Sequence, residues 1–464
     1  MNNASQRQVT VLEKLADFIH GIAYTDLPEP VIARAKDLMA DSLGCAFGAL
    51  SSEPGSAVIK FAQDCGGLEQ STLIAGTKTS APLATLVNGT LLRYLDNNDY
   101  YFGRDPAHPS GNLAVVMAVA ERQKSSGAEL LATLIAAYEL HIRLADYAGI
   151  PSLWKRGWHH GTNLQFSCAA AAGKLSWCDA HRTAHAMAIA ASHGNTLAQL
   201  QSGKVSMIKA SAEAWVAKGA VEAAMLASYG MTGPLDLMEG RHGWASVVAG
   251  EVDAAHLTSP VQHGMYRILD VCAKPYPVVA TAIAPVGAAI ELHEKNSFDV
   301  ACIDRVIVYL PRFALTSPSA DPGRRHPTSI ESAQHSFYYC TAVALLDGAC
   351  GPEQFTNKRM QDAALHSLLD KVVLMGDENL DAGWPSAAGA AVHVCLGDGK
   401  VHICRHDFPL GHPKRPLDAA ALAKKFLNYA VPVLSSSRAH ALLDAIYCIE
   451  DCRDVREFTA LLAR

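Results

Sequence analysis

The stretch Ala391-Val392-His393-Val394-Cys395-Leu396-Gly397-Asp398-Gly399-Lys400-Val401-His402-Ile403-Cys404-Arg405 alternates apolar and polar residues on both sides of its two glycines. A two-residue period flanking a glycine-bearing turn predicts a β-hairpin. Working outward, Val306-Ile307-Val308-Tyr309-Leu310 and Val372-Val373-Leu374 read as further strands. Helical segments are expected among them at 277–295 and 336–346. Residues 268–409 are therefore expected to form a separate α+β domain of ordinary size.

On either side of that region the pattern is helical. Thr25 and Asp26 can cap a helix, Pro28 and Pro30 suit a first turn, and Val31, Ala35, Leu38, Ser42 and Ala46 follow at helical spacing. Gly44 and Gly48 are expected to weaken that helix and end it. Similar stretches run over 83–95, 113–123, 129–148 and 183–193. Another, over 208–229, is stopped by Gly230-Met231-Thr232-Gly233-Pro234. The tail from 418 to 464 is helical again. The expected fold is mainly α. A large all-helical domain is formed by both termini (1–267 and 410–464), and the smaller α+β domain (268–409) is a lid over a cleft.

Composition narrows the function. Of 464 residues, 50% are apolar and 18% charged, so the chain hides much of its surface in a large core, a large subunit interface or both. A net charge of −6 with no run of Lys or Arg argues against nucleic acid and anionic membrane as partners. Residues 1–8 are polar and lack the apolar core of a signal peptide, and apolar stretches such as 113–120 are too short to span a bilayer. A cytoplasmic location is expected. None of the 12 cysteines forms Cys-x-x-Cys, so reduced thiols are expected and no zinc or iron–sulfur spacing is found.

Four polar clusters interrupt the apolar pattern. Arg93-Tyr94-Leu95-Asp96-Asn97-Asn98-Asp99-Tyr100, followed by His108-Pro109-Ser110-Gly111-Asn112, falls at a helix end and loop, where functional groups tend to sit. Capping by Asp96, Asn98, Ser110 and Asn112 accounts for part of it, but not for so many Arg, Asp, Tyr and His residues together. In Gly157-Trp158-His159-His160-Gly161-Thr162-Asn163, adjacent histidines are expected to point apart. One acid/base histidine with Thr162 as a helix cap is the reading. Ser206-Met207-Ile208-Lys209 places a lysine at a helix N-terminus, against the macrodipole, so a negative partner is expected. Lys274-Pro275-Tyr276-Pro277 is a stiff extended segment that holds a lysine steadily. In His335-Ser336-Phe337-Tyr338-Tyr339, core packing is the plain reading for one of the tyrosines.

These clusters, in this order, resemble the MmgE/PrpD family, which includes 2-methylcitrate dehydratase and cis-aconitate decarboxylase. The resemblance rests on Leu95-Asp96-Asn97-Asn98-Asp99, His108-Pro109-Ser110, Gly157-Trp158-His159 and Lys274-Pro275-Tyr276-Pro277. It also rests on Ser336-Phe337-Tyr338-Tyr339 with Leu345-Leu346-Asp347-Gly348. Residues 203–234, with Ser206 and Lys209, and Arg93 ahead of the Asp-rich run look most like the dehydratase branch. Two departures stand out. Gly111 occupies a position where the family often has Asp, and Val278-Val279-Ala280-Thr281-Ala282 follows the Tyr-Pro element where relatives often carry a histidine.

The resemblance implies a homodimer, no metal or organic cofactor, a small polycarboxylate substrate and an active site between the helical domain and the lid. It nominates Asp96, His108, His159, Lys209 and Tyr339 as catalytic. Arg93, Asp99, Tyr100, Ser110 and Lys274 are nominated to bind substrate. The expected roles are an Asp96–His108 acid/base pair, His159 as a second acid/base group, Lys209 and Lys274 on carboxylates and Tyr339 as a donor. The expected reaction is loss of water from a citrate-like acid after proton removal beside a carboxylate. Decarboxylation, epimerisation and a catalytically silent binding protein on the same scaffold are the alternatives.

Overall fold

Helices begin where a side chain satisfies their first free amides. Thr10 accepts from the Glu13 amide while Glu13 returns to the Thr10 amide, which opens α1 (Val11–His20). Ser126 and Glu129 repeat this capping box at α6 (Gly127–Tyr147). Between them run α2 (Glu29–Ala49), α3 (Glu53–Cys65), α4 (Ala81–Tyr94) and α5 (Gly111–Gln123). Then follow α7 (Leu164–Leu175), α8 (Ala180–Ala191) and α9 (Ile208–Ser228), the last ending at Tyr229 and a left-handed Gly230. The computed structural model describes residues 8–150, 152–203, 205–262, 264–296 and 299–463. Residues 1–7 of the polar N-terminal stretch read above lie outside them.

The chain is mainly helical, with a small mixed sheet in its C-terminal region. Two hydrophobic clusters hold it together. The first joins α1–α9 to the last helices, α12 (Ala419–Leu434) and α13 (Ser436–Tyr447), through Leu422, Phe426, Leu442 and Ile446. The second is built from residues 278–404, with Tyr100 and Cys272 reaching in. Its sheet has the order β6-β5-β3-β4, where β3 is Ile303–Leu310, β4 Val372–Gly376, β5 Ala390–Leu396 and β6 Val401–His406. β5 runs antiparallel to β6 and β3, with Val392 opposite Cys404 and Val308, whereas β3 and β4 are parallel. Helices α10 (Ile283–Lys295) and α11 (Phe337–Asp347) pack together beside this sheet. Among the described residues no helix is long and apolar enough to cross a membrane.

Two expected helices are refined. α2 runs through Gly44 without a break and ends one residue past Gly48, at Ala49. A Cβ on Gly44 would lie 2.9 Å from the Phe426 Cα, and one on Gly48 2.6 Å from the Tyr429 ring. These glycines exist to let α12 close on α2, and tertiary packing outweighs their low helix propensity. Residues 277–282 are not the start of a helix: Val279 is extended and a short 3₁₀ turn precedes α10.

The two clusters meet where β1 (Asp99–Phe102) pairs antiparallel with β2 (Cys272–Ala273), Asp99 opposite Ala273 and Tyr100 opposite Cys272. This ladder brings the segment after α4 beside Lys274. The Lys425 ammonium of α12 clamps the junction, donating to Asp41 Oδ1 at 2.6 Å, to the Lys274 carbonyl at 2.7 Å and to the Asn97 carbonyl.

Candidate active site

A glycine sets the geometry at the base of the site. Gly89 lets α4 approach α9 so closely that a Cβ there would lie 3.0 Å from the Ala214 Cβ. One turn further along α4, Arg93 therefore meets Glu213, with Nε 3.3 Å from Oε2. Just past the end of α4, Asp96 has φ +51°, a left-handed backbone that β-carbons disfavour and that recurs at functional sites.

Asp96 is the hub. Its Oδ1 accepts from Lys274 Nζ at 2.8 Å and from the Arg93 guanidinium. Its Oδ2 lies 3.1 Å from Lys209 Nζ and 3.2 Å from His335 Nε2. Lys274 is fixed further by the Asp96 and Val278 carbonyls, both at 3.0 Å. All five side chains are buried. Burial alone would raise the Asp96 carboxyl, but Lys209, Lys274, Arg93 and His335 outweigh it and hold the group well below the usual range. In the unliganded site Asp96 is thus charged and serves as the counter-ion of these groups. Burial, with Arg93 and Lys274 adding to it, pushes the Lys209 ammonium down to about 7 against the pull of Asp96. A lysine poised there can carry a proton at neutral pH.

The histidines divide by tautomer. His108 Nδ1 faces the Asp99 carbonyl at 2.7 Å and so carries the proton, leaving Nε2 to accept from Arg93 at 2.9 Å. A second proton would face the guanidinium. Burial and Arg93 accordingly keep the ring neutral, far below its ordinary pKa. His108 and Asp96 do not touch each other but are joined through Arg93. His159 is the reverse case. Its Nδ1 accepts the Gly161 amide at 3.0 Å, so the neutral ring carries its hydrogen on Nε2. That Nε2 is buried without a hydrogen-bond partner. Burial and the neighbouring His160 hold the ring neutral, with Arg93 and Lys209 in electrostatic reach.

The two adjacent rings do not point apart; their centroids are 3.9 Å apart at 34°. His160 Nε2 bonds Glu213 Oε1 at 3.0 Å. Thr162 is not the cap either. The cap is His159 itself, and the Thr162 hydroxyl faces the Thr196 carbonyl.

His108, His160 and Glu213 bring three ligand atoms within 4.8 Å of one another. The Arg93 guanidinium already faces His108 and Glu213 from within hydrogen-bond or ion-pair range. A metal ion there would have to displace a buried arginine.

Other nominated residues lie outside the hub. Asp99 accepts the Ser110 hydroxyl at 2.6 Å and the Ser110 amide, while Asn98 donates to the Ser110 hydroxyl at 2.8 Å. Asp99 and Ser110 therefore lock the loop that aims His108. Burial lifts the Asp99 carboxyl to about 6 despite those bonds. Tyr100 is buried against Phe102, ring centroids 5.0 Å apart, with its hydroxyl by the Cys272 thiol. Tyr339 is not brought to the hub: its hydroxyl donates to the Gln354 carbonyl at 2.6 Å and its ring lies by Phe355. Tyr338 likewise donates to the Ala320 carbonyl. Glu213, His160 as its partner and His335 as an Asp96 contact were not nominated by the sequence.

The departures also have structural reasons. A side chain at Gly111 would meet Leu164 at 2.9 Å, and Val278, Ala280 and Ala282 are buried in the second cluster. Above the hub a cavity of about 610 Å³ opens between the clusters, lined by Ser51, Glu53, Tyr94, Leu95, Ser206, Pro277, Glu331 and Gln334. None of the hub side chains lines it; Leu95 and Gln334, the chain neighbours of Asp96 and His335, form part of its wall, where Gln334 donates to the Leu95 carbonyl at 3.2 Å.

The chain thus joins a helical cluster to a second, sheet-containing cluster around a buried lysine–arginine–carboxylate hub. The MmgE/PrpD N-terminal domain matches residues 13–256 and the MmgE/PrpD C-terminal domain residues 276–451. The chain belongs to the MmgE/PrpD family. It is 26% identical to cis-aconitate decarboxylase of Mus musculus, over 98% of this chain and 93% of that protein. It is 24% identical to the mitochondrial 2-methylcitrate dehydratase of Yarrowia lipolytica, over 92% of this chain and 85% of that protein. Against 2-methylcitrate dehydratase of Cupriavidus necator the identity is 22%, over 89% and 88%.

Proposed function

We propose that the chain is a lyase for a citrate-like polycarboxylate, acting as a hydro-lyase on 2-methylcitrate or an acid of that shape. The observation that carries this reading is the gathering of Arg93, Lys209 and Lys274 on the single carboxylate of Asp96, in a buried place. Burying a substrate with about three negative charges is prohibitive unless cations wait for it, and here they wait already desolvated. Substrate carboxylates compete with Asp96 for these cations. Lys209, in its neutral form, takes the proton beside a carboxylate. The electron pair of that C–H bond forms the alkene as the C–O bond breaks, the His159 Nε2–H protonates the departing hydroxide to water, and the ring regains that proton from the Lys209 ammonium, so both groups return to their starting states. Lys274 and Arg93 hold the enediolate-like charge. Proton transfer and electrostatic holding suffice, so the reading calls on no metal or organic cofactor.

The α+β part, 268–409, serves in this reading as a lid that supplies Lys274 and His335 to the helical part. A second copy of the chain is proposed to pack on the exposed apolar face around Trp215, Leu226, Tyr229 and Met231; sedimentation at micromolar concentration tests it.

A second reading is decarboxylation of cis-aconitate or a similar acid, favoured by the relative of that name. Proton NMR in deuterated buffer, on a panel of citrate-like and dicarboxylic acids, decides between them. Dehydration yields an alkene with no loss of carbon, and decarboxylation releases carbon dioxide. No exchange or turnover of any acid that binds would leave a silent binding protein and overturn both.

A further inference from the structure

Far from the Asp96 hub, the outer hairpin strand carries its own cluster. His402, Cys404 and His406 alternate along β6, the two-residue period that puts them on one face, and that face packs against α10. Glu291 of α10 sits over it. Its Oε2 is 2.9 Å from His406 Nε2, which in turn is 3.7 Å from Cys404 Sγ. All three ligand atoms lie within 4.8 Å of one another. Tetrahedral zinc, with Zn–S of about 2.3 Å and Zn–N of about 2.0–2.1 Å, sets its sulfur and nitrogen ligands about 3.6 Å apart. The observed sulfur–nitrogen spacing already has that value. The carboxylate need only draw back by a few tenths of an ångström, from a hydrogen bond to a coordination edge.

We propose that Glu291, Cys404 and His406 form a zinc site that staples α10 to the outer edge of the sheet. One thiolate, one imidazole and one carboxylate make a ligand set of the sulfur, nitrogen and oxygen kind that zinc takes. Cys404 and His406 are 9% and 8% exposed, while a cavity of about 320 Å³ lined by Glu291, Lys295, His402 and Cys404 gives the ion access and leaves a fourth position for water. On binding, the Cys404 thiol releases one proton and the His406 hydrogen moves from Nε2 to Nδ1. Glu291 Oε2 exchanges its hydrogen bond with His406 for the ion, while Oε1 keeps its 2.6 Å contact with Lys295. Thiolate and carboxylate then balance the two positive charges. Gly287 makes room for the ring: a Cβ there would stand 3.1 Å from His406 Nδ1.

The test uses the full-length chain, stripped with a chelator and titrated with Co²⁺. One equivalent is expected to bind with a thiolate-to-cobalt charge-transfer band in the near ultraviolet, which Zn²⁺ then abolishes by displacement. The band is lost in Cys404→Ser, and affinity falls at least tenfold in Glu291→Gln, whose side chain is partly exposed and tolerates the change. Zn²⁺ raises the Tm of the wild-type chain and not of Cys404→Ser, with matching circular dichroism of the two metal-free forms. A band that persists in Cys404→Ser, or a wild-type chain that takes up no equivalent, overturns the proposal.

Discussion

Asp96→Asn is the most informative perturbation of the hub. Asparagine is nearly isosteric and tolerates left-handed backbone, so the φ of +51° is not the variable. What changes is charge. Lys274 at 2.8 Å and Lys209 at 3.1 Å each feel an attraction of about 5 kcal/mol at an effective dielectric of about 20. Much of that offsets desolvation already incurred, and removing one member of a buried ionic group costs a net of about 3–5 kcal/mol. Lys209 can relieve part of the strain by releasing its proton. In the wild type that happens near pH 7, and in Asp96→Asn the pKa falls lower. Between the two values the folded variant binds fewer protons than the folded wild type. Its deficit therefore shrinks as pH rises toward 7, by at most about 1.4 kcal/mol per unit. Urea unfolding at pH 5.5 and 8 measures this. Adding Lys209→Met removes one stranded cation, and the pair should couple by about 1–3 kcal/mol. An Asp96→Asn loss under about 1 kcal/mol, or strict additivity with Lys209→Met, would refute the picture of one charge-balanced unit.

The other predictions are independent. In the wild type, folded Lys209 loses its proton near pH 7 whereas the unfolded residue holds it to about 10.4. Stability should accordingly climb with pH across that window, and Lys209→Met should flatten the climb in denaturant titrations. His159→Gln should lower turnover by about 10²–10⁴-fold while the far-ultraviolet dichroism stays unchanged; retained turnover would remove His159 as the proton donor. Tyr339→Phe should leave turnover within a few-fold and cost about 1 kcal/mol, the worth of its bond to Gln354; a large kinetic loss would return it to the site. Gly48→Ala pushes a methyl to 2.6 Å from Tyr429 and should destabilise the chain by about 1–3 kcal/mol, read by urea midpoint.

Local signals carried much of this protein. The hairpin around Gly397-Asp398-Gly399 was legible because side-chain alternation and turn chemistry both act within a dozen residues. The end of α9 was legible because Gly230 is a local stop. Arg93, Asp96, Lys209 and Lys274 stood out as charges that local capping could not account for, and they converge on one carboxylate. What could not be read depended on neighbours far along the chain. Gly44 and Gly48 look like helix breakers until Phe426 and Tyr429 are seen to press on them. Tyr339 looks like a donor until Gln354 is seen to take its hydroxyl. Glu213 left one faint trace, since it follows Lys209 by four residues and so shares its helix face. His335 stood in one of the polar clusters, but its contact with Asp96 could not be read there because it is made only by the closure of the two clusters.

The clamp at Lys425 has a consequence for synthesis. Synthesis runs from the N-terminal side, so Arg93, His159, Lys209 and Lys274 are all outside long before Lys425 appears. Until it does, the Asn97 and Lys274 carbonyls lack the cation that joins them, and Asp41 is a buried carboxylate with no counter-charge. The buried charge cluster is thus completed only when α12 folds back on α2.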